Sequence, residues 1–144
     1  MDGANPARVL IVGGGVGAIE AALALRSLAG ERTAVEICAA RPDFVYRPFA
    51  VGEPYGASRV IRYDLERLAE RCGADFRHEN IAAIDTASRC ASSHDGTEIP
   101  YDYLVVACGA RLLWAVPGAT PFWGVADAGE VQAVVDRRRE GRLR

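Results

Sequence analysis

The sequence predicts an α/β fold, a parallel sheet flanked by helices with a small β-meander, on three observations. Residues 8–12, Arg-Val-Leu-Ile-Val, form an apolar run that stops at three glycines. An Ala- and Leu-rich stretch follows at once, and a second β-branched run begins at Thr33. Apolar runs without alternation suit strands covered on both faces, the habit of parallel sheets. Together these segments make a strand–helix–strand unit of about 30 residues, the usual size.

Taken in order, residues 8–12 are the first strand. Residues 18–29 read as a helix, with Glu20 in its first turn and Gly30 as a stop. Residues 33–38 give the second strand. Residues 39–58 are rich in Pro, Gly and aromatics, a connection long enough to suggest function. Residues 61–72 read as an amphipathic helix with Ile61, Leu65, Leu68 and Cys72 on one stripe. Gly73 ends it, and residues 74–77 start a short strand. Residues 81–85 and 89–93 look β-like, and Asp95-Gly96 is a hairpin turn before Glu98-Ile99. Residues 103–107 form another strand expected to be buried on both faces. A Pro-, Gly- and Trp-rich loop over 110–124 leads to a last helix over 127–139. The whole, residues 1–144, reads as a single domain with the meander inserted at about 80–100.

Composition narrows the function classes. Half of the 144 residues are hydrophobic and 25% are charged, as in globular proteins. A net charge of −2 does not suggest a nucleic-acid-binding protein. Every one of the 17 basic residues is Arg, a bias better explained by codon composition than by function. Cys38, Cys72, Cys90 and Cys108 form no CxxC pair, so neither a metal centre nor a thioredoxin-like site is expected. Cys38 and Cys108 lie in strand-like runs, where a thiol behaves as a small buried hydrophobe. A reduced, cytoplasmic location follows as an expectation. No leader-like segment precedes the first strand, and no apolar run reaches the roughly 20 residues that span a bilayer. Membrane insertion is not expected; peripheral contact stays open.

The chemistry lies in Gly13-Gly14-Gly15-Val16-Gly17-Ala18, which fits G-x-G-x-x-G/A. Gly13 permits the sharp strand-to-helix turn, Gly15 lets a pyrophosphate touch the backbone, and Ala18 lets the helix press on the first strand. Free N–H groups at the helix start then face the anion. Following a strand and opening a helix, the motif predicts a Rossmann-like dinucleotide-binding fold. A carboxylate on the ribose is expected about 20 residues on, at the end of the second strand. Ala39 stands there, followed by Ala40 and Arg41, while Glu36 falls mid-strand. Arg41 is a candidate phosphate contact or a solvated surface residue.

The ordered set of residues 9–28, Asp43-Phe44-Val45-Tyr46-Arg47-Pro48 and residues 101–110 (Tyr-Asp-Tyr-Leu-Val-Val-Ala-Cys-Gly-Ala) resembles the N-terminal part of the pyridine nucleotide–disulfide oxidoreductase superfamily. Within it, the chain looks most like the sulfide:quinone oxidoreductase-like and type II NADH dehydrogenase-like flavoproteins. The resemblance implies FAD as cofactor. Gly13, Gly14, Gly15, Val16, Gly17 and Ala18 would hold its phosphates, with Ala39 and Arg41 at the end of the second strand. Arg47 and Pro48 would approach the isoalloxazine, and the backbone of Ile81 or Ala82 would meet adenine. Ala107, Cys108 and Gly109 would occupy the family's A-T-G place.

Departures accompany the resemblance. Ala39 replaces a frequent acid, and Cys108 replaces a usual Thr. No C-x₄-C follows the second strand, so the dithiol chemistry of the glutathione reductase branch is not expected. The family's NAD(P)-binding domain and C-terminal part are not in the 144 residues, which implies a fragment, a truncated reading frame or one piece of a split protein. NAD(P)H would then be a donor only for a complete protein.

The first functional expectation is the FAD-anchoring part of an oxidoreductase that moves electrons from an NAD(P)H- or sulfide-type donor to quinone or another acceptor. The second is a non-catalytic or partner-dependent FAD- or nucleotide-binding module. The third is a single NAD-binding domain with Glu36 on the ribose. No residue stands out as a dedicated acid, base or nucleophile. Residues 137–139 (Arg-Arg-Arg), Arg142 and Arg144 read as cations complementing a helix C-terminus. His78 and His94 read as surface residues. Trp114 and Trp123 are candidates for a homodimer or partner contact or for plain loop packing.

Overall fold

The computed structural model describes residues 5–110, 116–122 and 127–141. Trp114, Trp123, Arg142 and Arg144 therefore lie outside the described residues. The chain divides into two compact units, a finer division than the single span expected. One holds the described residues up to Phe44 together with Tyr63–Gly109; the other holds Val45–Arg62 and the described residues from Ala110 onward.

The first unit is built on strands β1 (Ala7–Val12), β2 (Thr33–Ala39), β5 (Asp75–His78) and β9 (Tyr103–Val106). All four are parallel, in the order β5-β2-β1-β9. This is the 3-2-1-4 order of a doubly wound nucleotide-binding sheet. Helices α1 (Val16–Leu28) and α2 (Leu65–Arg71) cover one face. There Val9, Ile11, Val35 and Ile37 meet Ala18 and Ala22 of α1 and Ala69 of α2. The small residues of α1 let it lie close to the strands, as Ala18 was expected to do.

The other face carries the meander β6 (Ile81–Asp85), β7 (Cys90–Ser93) and β8 (Glu98–Pro100). Leu10 and Cys38 pack there against Ala91, Ile99 and Tyr101. Because side chains alternate along a strand, β1 sends Val9 and Ile11 to the helices and Leu10 to the meander. That double covering is why residues 9–12 carry no polar side chain. At the opposite end of the sheet from the glycine loop, Asp102 clasps Arg8. Its carboxylate receives the Arg8 N–H at 2.7 Å and the guanidinium Nη2 at 3.1 Å. The side-chain hydrogen bond from Arg8 is the main cause that holds the Asp102 carboxyl below its ordinary range.

Three expectations are corrected. The helix expected over 61–72 is α2, which starts only at Leu65, because Arg62–Asp64 form β4 and pair with β3 (Asp43–Val45). Asp64 then caps α2 by accepting from the Arg67 N–H at 3.0 Å. Strand β9 is not buried on both faces. Among the described residues it has a neighbour on one side only, with Tyr103 at 64% and Val106 at 60% exposure. Glu20 is not in the first turn of α1, which begins at Val16 and has no acid there.

The second unit contains a 3-10 segment, Arg47–Tyr55, and helix α3 (Ala128–Arg139). The Ser58 hydroxyl donates to the Phe49 carbonyl, and Tyr46 and Phe49 meet edge to face at 5.2 Å. Arg137, Arg138 and Arg139 fill the last turn of α3, the position that complements its dipole. Among the described residues no helix is long and apolar enough to cross a membrane.

Candidate functional site

The glycine loop leaves β1 at the carboxyl edge of the sheet, where open α/β folds bind ligands. Gly13 adopts φ +129, and a Cβ there would lie 2.2 Å from the carbonyl oxygen of Ala107. Its N–H donates to the carbonyl of Cys38 at 2.8 Å, and Ala107 N–H donates to Val12 at 2.7 Å. The first glycine is thus wedged among the ends of β1, β2 and β9, a place that excludes any side chain.

Gly14 serves packing. A Cβ there would lie 2.5 Å from Cδ2 of Leu65 and 3.0 Å from Cβ of Ala39. Leu65 is fully buried at the start of α2, and its N–H is tied to the carbonyl of Pro42 at 2.9 Å. Leu65 was expected only as part of an apolar stripe. Its role beneath the loop has one sequence signal, a glycine at a motif position that the phosphate does not require.

Gly15 is the N-cap of α1, and a Cβ built on it meets nothing within 4 Å. Its carbonyl accepts from Ala18 and Ile19, but the N–H groups of Gly15, Val16 and Gly17 are bonded to no acceptor among the described residues. Among the described residues no side chain caps this end. Gly15, Val16 and Gly17 are exposed, while Ala18 is buried on the sheet. The arrangement offers unpaired donors and the positive end of a helix to an anion approaching through open space.

Around this loop, the other expected residues divide. Ala39 ends β2 directly beside the loop. Ala107 backs Gly13 and touches the Cβ position of Gly17 at 3.8 Å, with exposed Cys108 and Gly109 following. Arg41 is held by Asp43 through two bonds of 3.2 Å, so it is clasped to its own loop. At Ala82 the β6–β7 register skips, pairing Ile81 with Ser93 and Ala83 with Ser92. Such a bulge leaves one residue outside the ladder, so the Ala82 backbone is available to a ligand. Arg47 and Pro48 belong to the other unit, at the first turn of its 3-10 segment. Glu36 lies mid-strand opposite Leu10 and binds Arg77 at 2.7 Å. That ion pair removes the residue on which a single NAD-binding domain would depend.

The thiols separate by environment. Cys38 is fully buried, and desolvation is the chief cause that pushes its pKa up to about 11, with Glu36 adding to the rise. Burial also raises Cys72. Cys108, expected to be buried, is exposed because β9 ends at Val106 and the chain has left the sheet. We expect a maleimide at neutral pH to modify Cys108 and spare Cys38 until the chain unfolds, as read by peptide mass mapping. Equal labelling of the two would contradict this packing.

A four-stranded parallel sheet with this loop at its switch point defines the chain as a dinucleotide-binding α/β protein. The profile of the family described as "Pyridine nucleotide-disulphide oxidoreductase" matches residues 7–142, and the chain belongs to that family. It is 30% identical over 112 residues to the sulfide-quinone reductase of Aquifex aeolicus, a match covering 76% of this chain and 26% of that protein. The solved sulfide:quinone oxidoreductase from Aquifex aeolicus superposes with a TM-score of 0.79 at 27% identity, over 91% of this chain and 32% of that one. NDH2 from Plasmodium falciparum shares the fold with a TM-score of 0.69 at 16% identity, over 96% of this chain and 30% of that one. The chain thus spans about a quarter to a third of the relatives it matches. The family is one of FAD-binding flavoproteins. The residues present fit that group: unpaired N–H donors, open space above Gly15 and no acid in the first turn of α1.

Proposed function

We propose that the chain is the FAD-anchoring part of a flavin-dependent oxidoreductase that passes electrons from an NAD(P)H- or sulfide-type donor to quinone or another acceptor. The observation that carries this reading is the glycine loop, wedged at Gly13 and open at Gly15, with unpaired donors at the start of α1. Gly13 to Ala18 hold the pyrophosphate, Ala82 offers main-chain groups to adenine, and Ala107 to Gly109 border the loop. Arg47 and Pro48 are assigned to the flavin ring by the family pattern alone. When bound, the flavin supplies the redox chemistry, while the protein binds and orients it. The relatives' activity on sulfide and quinone motivates the choice of donor and acceptor. A cytoplasmic location is part of the reading, supported by four unpaired thiols.

Purification under mild conditions, followed by denaturation and chromatography of the released cofactor, tests the proposal. Stoichiometric FAD is the expected result. A chain that takes up no flavin even with excess FAD would not close this site unaided. The partner-dependent module would then be the better reading.

A further inference from the structure

A dinucleotide laid along the carboxyl edge, with its pyrophosphate at the glycine loop, directs one nucleoside toward β2. Ribose hydroxyls there are best met by a carboxylate, yet β2 ends in Ala39 and Ala40. The neighbouring carboxylates are largely committed. Glu36 binds Arg77 at 2.7 Å, Asp43 receives Arg41 on both oxygens, and Asp64 caps α2.

Glu79 is different. It follows β5 directly, one strand beyond β2 in the sheet. Its N–H donates to the carbonyl of Ala39 at 3.1 Å, and its carbonyl accepts from Sγ of Cys38 at 3.6 Å. Both main-chain groups are therefore tied to the last residues of β2, while the half-buried carboxylate is bonded to no group among the described residues. Adjacent strands lie about 4.8 Å apart, within the span of a glutamate side chain. Ala39 and Ala40 carry only methyl side chains at the end of β2, and the His78 ring meets the Ala40 carbonyl at 3.3 Å. The bulge at Ala82 lies three positions further along the chain.

We propose that Glu79 supplies the carboxylate that receives the adenosine ribose hydroxyls of FAD, from the end of β5 in place of the end of β2. This rests on the flavin reading above. Sequence reasoning missed the residue because the expected acid was sought only after the second strand. A glutamate closing the third parallel strand was the available signal.

The test measures binding by flavin fluorescence, using FAD and an FAD analogue with 2′-deoxyadenosine, on the full chain and on Glu79→Ala and Glu79→Gln. Charge-assisted hydrogen bonds of this kind correspond to about a 10- to 100-fold effect on affinity. The unchanged chain should lose about that factor on going from FAD to the deoxy analogue. Glu79→Ala should weaken FAD by a similar factor and bind both ligands alike, with Glu79→Gln between. Because the unchanged chain alone must discriminate the two ligands, a poorly folding variant does not blunt the test. Equal affinity of the unchanged chain for FAD and the deoxy analogue would overturn the assignment, as would a Glu79→Ala variant that still discriminates. Failure of the unchanged chain to bind FAD at all would overturn unaided flavin binding by this chain, and the assignment with it.

Discussion

Replacing Gly13 with alanine is expected to destabilise the chain by at least about 3 kcal/mol, the upper end of what strained backbone positions cost. Two effects add. The +129 φ is a conformation that L side chains rarely adopt, and the new methyl would sit 2.2 Å from one main-chain atom of Ala107 and 2.4 Å from another. Neither neighbour can yield cheaply, since Ala107 is bonded to Val12 and Gly13 to Cys38. Relief requires parting β9 from β1. Gly15→Ala supplies the contrast: its φ is −93 and its Cβ direction is empty, so the loss should stay under about 1 kcal/mol. Its effect should fall on cofactor affinity, because the methyl occupies the approach to the loop. Urea unfolding midpoints of the two variants decide the matter. Equal destabilisation would mean that the loop is not wedged at its first glycine.

A second large effect is expected at Leu65. Truncation to alanine empties a fully buried site and should cost about 2–5 kcal/mol, as core leucines do. Gly14→Ala alone should cost about 1–3 kcal/mol by overpacking against the same side chain. In the double variant the new methyl enters the space that Leu65 vacates. The combined loss should therefore fall short of the sum by more than about 0.5 kcal/mol. Strict additivity in a denaturant double-mutant cycle would show that Gly14 and Leu65 do not share the contact. Such coupling would make the start of α2 part of the phosphate loop's foundation.

The sequence revealed the elements whose local pattern and tertiary role agree. The runs before Gly13 and after Thr33 became β1 and β2 because β-branched residues covered on both faces leave no competing reading. The hairpin at Asp95-Gly96 was equally clear, with Gly96 at φ +90 in the turn. What escaped depended on distant partners. Residues 61–64 carry the apolar start of a helical stripe, yet Arg62–Asp64 pair with Asp43–Val45, and a ladder of that kind leaves no local trace. Strand β9 has the composition of a central strand but, among the described residues, a neighbour on one side only, so its apolar run did not reveal its exposure. At the site, the phosphate loop was legible because its glycines answer a steric demand written in consecutive positions. Leu65 was not, because it reaches the loop from another helix, and Glu79 was not, because it closes a different strand from the one that carries the expected acid.

Three glycines in a row would ordinarily signal a hinge. Here the first is fastened between three strands and the second is pressed beneath a buried leucine. The freedom that makes glycine costly to order has therefore been surrendered during folding. A ligand arriving at Gly15 meets donors already fixed in place, so its binding free energy is not spent on freezing the loop. Flexibility of composition has become stiffness of site.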